Sequence, residues 1–196
     1  MKLLPLFLLL LVTAAAPLRA ADVFEPRVFK APDGQSIPYR LLKPKDYDSQ
    51  KKYPLVLLLH GAGERGTNNE SQLTHGAGAF AKDDARAKFP AFVVVPQCPP
   101  EYRWVEVDWT SPDPHQPEEI SIPLKLALGA LEEVQKEFSV DPDRLYVTGL
   151  SMGGFGTWDV ITRFPERFAA AAPVCGGGDK RKIGRASKVP VWAFHG

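Results

Sequence analysis

Residues 144–164 read RLYVTGLSMGGFGTWDVITRF, and the change of pattern inside them decides the fold. Arg144–Thr148 is a short run with the β-branched and aromatic content of a strand. Trp158, Ile161 and Phe164 then recur at helical spacing and stop before Pro165, which cannot continue a helix. Gly149-Leu150-Ser151-Met152-Gly153-Gly154 lies between the two. A strand that passes straight into a helix through so short a turn is half of a βαβ unit.

The rest of the chain repeats this alternation. Upstream, YPLVLLL at residues 53–59 contains five consecutive apolar residues, as a strand buried on both faces does. It runs directly into His60-Gly61-Ala62-Gly63-Glu64-Arg65-Gly66. Arg27–Ala31 and Ser36–Leu42 form a hairpin through the turn Pro32-Asp33-Gly34. Residues 71–88 are helical in part, and Ala91–Val95 is a further apolar strand. Pro96–Pro117 is a long loop rich in proline and aromatics, of the kind that serves function in a compact domain. Leu124, Leu128, Leu131 and Phe138 mark a helix opened by Pro123. Asp141-Pro142-Asp143 reads as a turn, Phe168–Val174 as a strand ending in Cys175-Gly176-Gly177-Gly178, and residues 179–189 as a polar surface segment. Val189–Phe194 begins a last strand. The expected class is α/β, a mostly parallel sheet with helices on both faces.

The first twenty residues are a separate object. Lys2, the apolar run Leu3–Val12 and the small residues before Ala21 have the layout of a secretory signal peptide. The run is too short to span a bilayer. We expect cleavage after Ala20, a secreted or periplasmic domain over 21–196, and no membrane association after cleavage. The formal net charge is +1 with no basic run, which gives no footprint for nucleic acid.

Gly149-x-Ser151-x-Gly153 is the pattern of a nucleophile elbow. A serine on a strained strand-to-helix turn stands clear of the sheet, and side chains two residues to either side would collide, which explains both glycines. The helix N-terminus aims free N–H groups at the site, where they stabilise developing negative charge. The Met152 N–H and the Ala62 N–H are the expected oxyanion donors, with Gly61 and Gly63 letting the backbone approach. His60 reads as a residue that shapes this loop. His75, His115, Asp159 and Glu166 read as surface residues. Tyr102, Trp104 and Trp109 in the long loop form either a candidate substrate wall or a hydrophobic cap on the sheet edge. No cluster with metal-ligand spacing is present, and hydrolysis by a serine needs no cofactor.

HGAGERG at 60–66, PQCP at 96–99, Trp104, and GLSMGGFGTWD followed by PVCGGGD resemble secreted bacterial esterases of the α/β-hydrolase superfamily. These are phospholipase/carboxylesterase or predicted-peptidase types, related to feruloyl esterases and polyhydroxybutyrate depolymerases. The resemblance implies an α/β-hydrolase fold lacking its last strand and helix here. It also implies an acyl-enzyme on Ser151 and a small or polysaccharide-linked ester substrate. The family's acid follows a strand ending in His-Gly, and its histidine comes later. VWAFHG at 191–196 is that strand, so both lie beyond residue 196 and His195 is not the base. The 196-residue fragment is then expected to be nearly inactive. Asp179 is the one alternative acid in the chain. A peptidase of the same fold and a non-catalytic binding protein are the alternative functions. The superfamily sheet order sets the strands before Cys98 and Cys175 three spacings apart, about 14 Å, so two separate thiols are expected.

Overall fold

The computed structural model describes residues 19–196. The expected leader lies, apart from Arg19 and Ala20, outside the described residues. Ala20 opens a one-turn helix, α1 (Ala20–Val23). Six strands follow: β1 (Glu25–Lys30), β2 (Ser36–Leu42), β3 (Tyr53–Leu59), β4 (Phe92–Pro96), β5 (Val140–Leu150) and β6 (Ala170–Val174). They form one sheet in the order β1-β2-β4-β3-β5-β6. The β1–β2 hairpin is antiparallel and joins β4 antiparallel, while β4, β3, β5 and β6 are mutually parallel. The short helices α2 (Ala77–Ala81) and α3 (Asp83–Lys88) lie before β4. Helix α4 (Ile122–Glu137) precedes β5, and α5 (Met152–Arg163) follows it.

Alternation along β3 builds the two layers. Leu55, Leu57 and Leu59 point into the main core, which α4 and α5 close with Leu124, Leu128, Leu131, Val160 and Ile161. Leu58 points the other way and packs with Leu42, Val93 and Val95 under Ala77 and Ala81 of α2. Helix α4 starts where the sequence sets it. The Ser121 side chain accepts a hydrogen bond from the Leu124 N–H at 3.3 Å, and proline occupies the first turn. No helix among the described residues is long and apolar enough to cross a membrane.

Three expectations need correction. Asp141-Pro142-Asp143 is not a turn before a new strand but an outward bulge inside β5. Tyr53 pairs with Val140, and Leu55 already pairs with Leu145. The Asp141 carboxylate closes the bulge by accepting from the Asp143 N–H and the Arg144 Nε. Val189–Phe194 does not form a continuous strand. It touches β6 through two parallel bridges, Ala171 to Val191 and Val174 to Phe194. Pro190 has no N–H to give, and Trp192 is 72% exposed. Residues 179–189 are not all surface: Asp179, Ala186 and Val189 are buried.

Candidate active site

The parallel strands end at one edge of the sheet, where ligand sites of open α/β sheets form. Ser151 sits there, exposed, between β5 and α5. Its φ is 54° and its ψ −112°, a strained conformation for a side chain larger than glycine's. The turn is over-determined by its surroundings. Ser151 N–H donates to the Val174 carbonyl of β6 at 2.8 Å, and Phe155 N–H donates to the Ser151 carbonyl at 3.1 Å. A Cβ on Gly149 would strike the Gly153 carbonyl, and one on Gly153 would strike the Leu59 carbonyl of β3. The elbow therefore packs directly on the end of β3.

Ala62 opens a single 3-10 turn, Ala62–Glu64, immediately after β3. The hydrogen bonds of His60 hold this loop. Its Nε2 accepts from the Cys98 N–H at 2.9 Å, so the proton is on Nδ1, which donates to the Gly61 carbonyl at 2.7 Å. Both ring nitrogens are committed, and the side chain is buried. Desolvation moves its pKa down to about 4, so His60 is a neutral strut. Gln97 completes the loop by donating to the Glu64 carbonyl and to Asn68 Oδ1, and by accepting from the Asn69 N–H.

The structure corrects the expected substrate wall. Trp104 is fully buried. Its indole N–H donates to the His60 carbonyl at 3.0 Å and its ring packs edge-on against the imidazole. It supports the loop and reaches no open surface. Tyr102 is half-buried and faces a separate cavity with Gln35, Ile37 and Leu126. Trp109 and Phe155 are the aromatic groups of a cleft beside the first turn of α5, where the Phe155 N–H donates to the Ser151 carbonyl. With Cys175, Gly176, Lys180 and His195 they line a cleft of about 430 Å³ at the end of β6. The glycine run after Cys175 was the available signal: a Cβ on Gly176 would strike Gly154 and Phe155.

Asp159 is also corrected, from surface to core. It is buried, with Oδ2 accepting from Arg163 Nε at 2.7 Å and Oδ1 from Gln116 Nε2 at 2.6 Å. Burial raises its carboxyl above the ordinary value against the pull of Arg163. Asp179 spends both oxygens on structure. Oδ2 accepts from the Gln116 N–H and Oδ1 from the Arg181 N–H. Arg163 caps the carbonyls of Pro117 and Glu118. The base of the long loop is thus bolted to α5, whose first residue follows Ser151. Cys98 is buried and Cys175 exposed, and both are free thiols, as expected.

A family model described as "Putative esterase" matches residues 32–176, an interval that holds the elbow, the loop after β3 and both glycine turns. The chain belongs to this esterase family. The esterase fold is matched in solved structures. A thermostable esterase superposes with a TM-score of 0.81 and 45% identity, over 89% of this chain and 46% of that one. A feruloyl esterase module from Clostridium thermocellum superposes with a TM-score of 0.58 and 17% identity, over 87% and 65%, and shares the fold. Among curated relatives, poly(3-hydroxyalkanoate) depolymerase C of Paucimonas lemoignei is 45% identical over 47 residues, 24% of this chain and 11% of that protein. A bifunctional acetylxylan esterase/xylanase of Neocallimastix patriciarum is 33% identical over 67 residues, 34% and 10%. The esterase chain thus spans about half the length of the thermostable esterase, and its alignments cover about a tenth of the curated relatives. The fold is that of an α/β-hydrolase.

Proposed function

We propose that the whole protein hydrolyses carboxylic esters through an acyl-enzyme on Ser151. The observation that carries this reading is Ser151 itself, exposed at a φ of 54° at the head of α5, with its turn packed on β3. Ser151 Oγ attacks the ester carbonyl carbon, and the carbonyl oxygen becomes an oxyanion. The Met152 and Ala62 N–H groups hold that oxyanion, helped by the N-terminal end of a twelve-residue helix. Collapse expels the alcohol, and water then releases the acid. The histidine and acid that activate Ser151 are assigned to sequence outside residues 1–196, following the family resemblance. Neither His60 nor Asp179 takes those roles on this reading, because hydrogen bonds to the fold occupy both.

A polysaccharide-linked ester is the proposed substrate class, with export directed by residues 1–20. The names of the acetylxylan and feruloyl relatives support it. The test is covalent. Protein expressed from the complete reading frame is treated with a fluorophosphonate and digested, and the adduct is mapped by mass spectrometry. A single adduct on Ser151 is expected, lost in Ser151→Ala together with hydrolysis of a small aryl ester. An adduct elsewhere, or activity surviving Ser151→Ala, overturns the proposal. N-terminal sequencing of the exported protein should begin at Ala21.

A further inference from the structure

The loop after β3 carries one buried charged group that the proposed reaction does not use. Glu64 is 5% exposed. Its carboxylate lies over Gly61 on the side that faces the elbow. A Cβ placed on Gly61 would stand 2.9 Å from Glu64 Oε2 and 3.8 Å from the Ser151 Cβ. The carboxylate and the serine therefore converge on the same small space, and Gly61 is the residue that leaves it open. On the far side, His75 Nε2 approaches Glu64 Oε1 at 3.4 Å from an exposed position. His60 Nδ1, 4.0 Å from Oε2, is already donating to the Gly61 carbonyl. Oε2 thus has no good donor among these neighbours. Oε2 is nonetheless not sealed from the surface, so a group entering the space over Gly61 can reach it.

We infer that Glu64, with His75 behind it, is a specificity residue of the candidate site: its Oε2 accepts a hydrogen bond from a hydroxyl of the ester substrate. The inference rests on the ester reading of Ser151. A neutral donor group fits this position best. A hydroxyl can donate to Oε2, whereas a substrate carboxylate there would meet a like charge. The loop also orders the site across the sheet. Glu64 lies on the β3 side of Ser151, and the aromatic cleft of Trp109 and Phe155 lies on the β6 side. A substrate seated on Ser151 then has an apolar part in the cleft and a hydroxyl-bearing part over Gly61. A site built to hydrogen-bond a hydroxyl discriminates strongly against the analogue lacking it, because its own polar group is then stranded.

The test is a ratio. Protein from the complete reading frame is assayed on two pairs of esters. One pair shares an acid, as the ethyl and 2-hydroxyethyl esters. The other shares an alcohol, with a plain or a hydroxylated acyl chain. The wild type should favour the hydroxylated member of one pair in kcat/KM by about tenfold or more. Glu64→Gln should reduce that preference severalfold, and His75→Ala should reduce it less. A role of Glu64 in folding alone would slow both members equally and leave the ratio unchanged, which overturns the inference. Equal cleavage of both members of each pair by the wild type overturns it as well, and leaves the ester reading standing. If the wild type cleaves none of the four esters, the ester reading has failed and this inference falls with it.

Discussion

Trp104 donates its indole N–H to the backbone carbonyl of His60, 3.0 Å away, and so ties the long loop to the turn that follows β3. His60 in turn accepts from the Cys98 N–H and donates to the Gly61 carbonyl, one residue before Ala62. The position of the Ala62 N–H is therefore set by a chain of buried contacts that starts in a different segment of the sequence. On the proposed reading the Ala62 N–H is an oxyanion donor, and such donors must be held to a few tenths of an ångström to be useful.

Trp104→Phe tests that chain. Phenylalanine keeps most of the buried apolar volume and removes the N–H, which leaves the His60 carbonyl unpaired at a cost of about 1–3 kcal/mol. The variant is expected to fold with a lowered Tm and to hydrolyse aryl esters at least tenfold more slowly, mainly through kcat. Unchanged kcat would show that the loop after β3 keeps its place without Trp104.

Gly153→Ala tests the elbow. The added methyl would strike the Leu59 carbonyl of β3, which is backbone in a central strand and cannot move aside. Overpacking of this kind against backbone should exceed the usual cost of a point mutation, about 1 kcal/mol, severalfold. Little or no soluble folded protein is expected. Gly63→Ala is the matched control, because nothing lies within 4 Å of a Cβ there. Equal stability of the two variants by thermal unfolding would contradict the packing described.

His60 predicts a pH dependence of stability. It is buried and neutral, with a folded pKa of about 4 against 6.5 for the free side chain. Between those values the unfolded chain binds a proton that the folded chain does not, so stability falls as pH drops from about 6.5 to about 4. The span corresponds to roughly 3 kcal/mol. His60→Gln removes the titrating group and should flatten the fall in Tm over this window while lowering Tm at pH 7. A slope unchanged in the variant would place the acid sensitivity elsewhere.

The elbow was legible in the sequence because local pattern and chemistry coincide there. A strand run, two glycines around a serine and a helical period lie within 21 consecutive residues. Residues 53–59 were legible for the same reason, since apolar continuity is a local property. The Gln116 anchor was not. A single glutamine in a proline-rich loop carries no period, and its partners Asp159 and Asp179 are 43 and 63 residues away. The wall reading of Trp104 fails in the opposite sense, and the cap reading holds. An aromatic in a long polar loop resembles an exposed wall, yet Val105 and Val107 beside it are buried too. The loop has its own apolar face, turned toward the main core.

The Gln116 anchor makes its own prediction. Gln116 N–H and side chain bridge Asp179 and Asp159, and Lys182 Nζ donates to the Gln116 carbonyl at 3.1 Å. Gln116→Leu removes the side-chain bonds to Asp159 and Thr162 while the backbone bonds to Asp179 and Lys182 remain, which loosens the base of the loop that carries Trp109 above the cleft. KM for esters with a bulky acyl group is expected to rise severalfold, with a smaller change for an acetyl ester. Equal effects on the two would place the anchor outside substrate recognition.

The two thiols give a last, direct test of the sheet order. β4 and β6 stand three positions apart, with β3 and β5 between them. Cys98 follows β4 and is fully buried, and burial pushes its thiol up to about 12. Cys175 follows β6 and is exposed. Of these two cysteines, a maleimide should therefore modify Cys175 and not Cys98 in native protein at pH 7.5, as shown by peptide mapping, and both after denaturation. Addition at Cys175 should also hinder ester hydrolysis, because its side chain lines the cleft with Trp109 and Phe155. Rapid native labelling of Cys98 would contradict its burial, and a disulfide between the two would contradict the sheet order, which sets their strands about 14 Å apart at about 4.8 Å per strand.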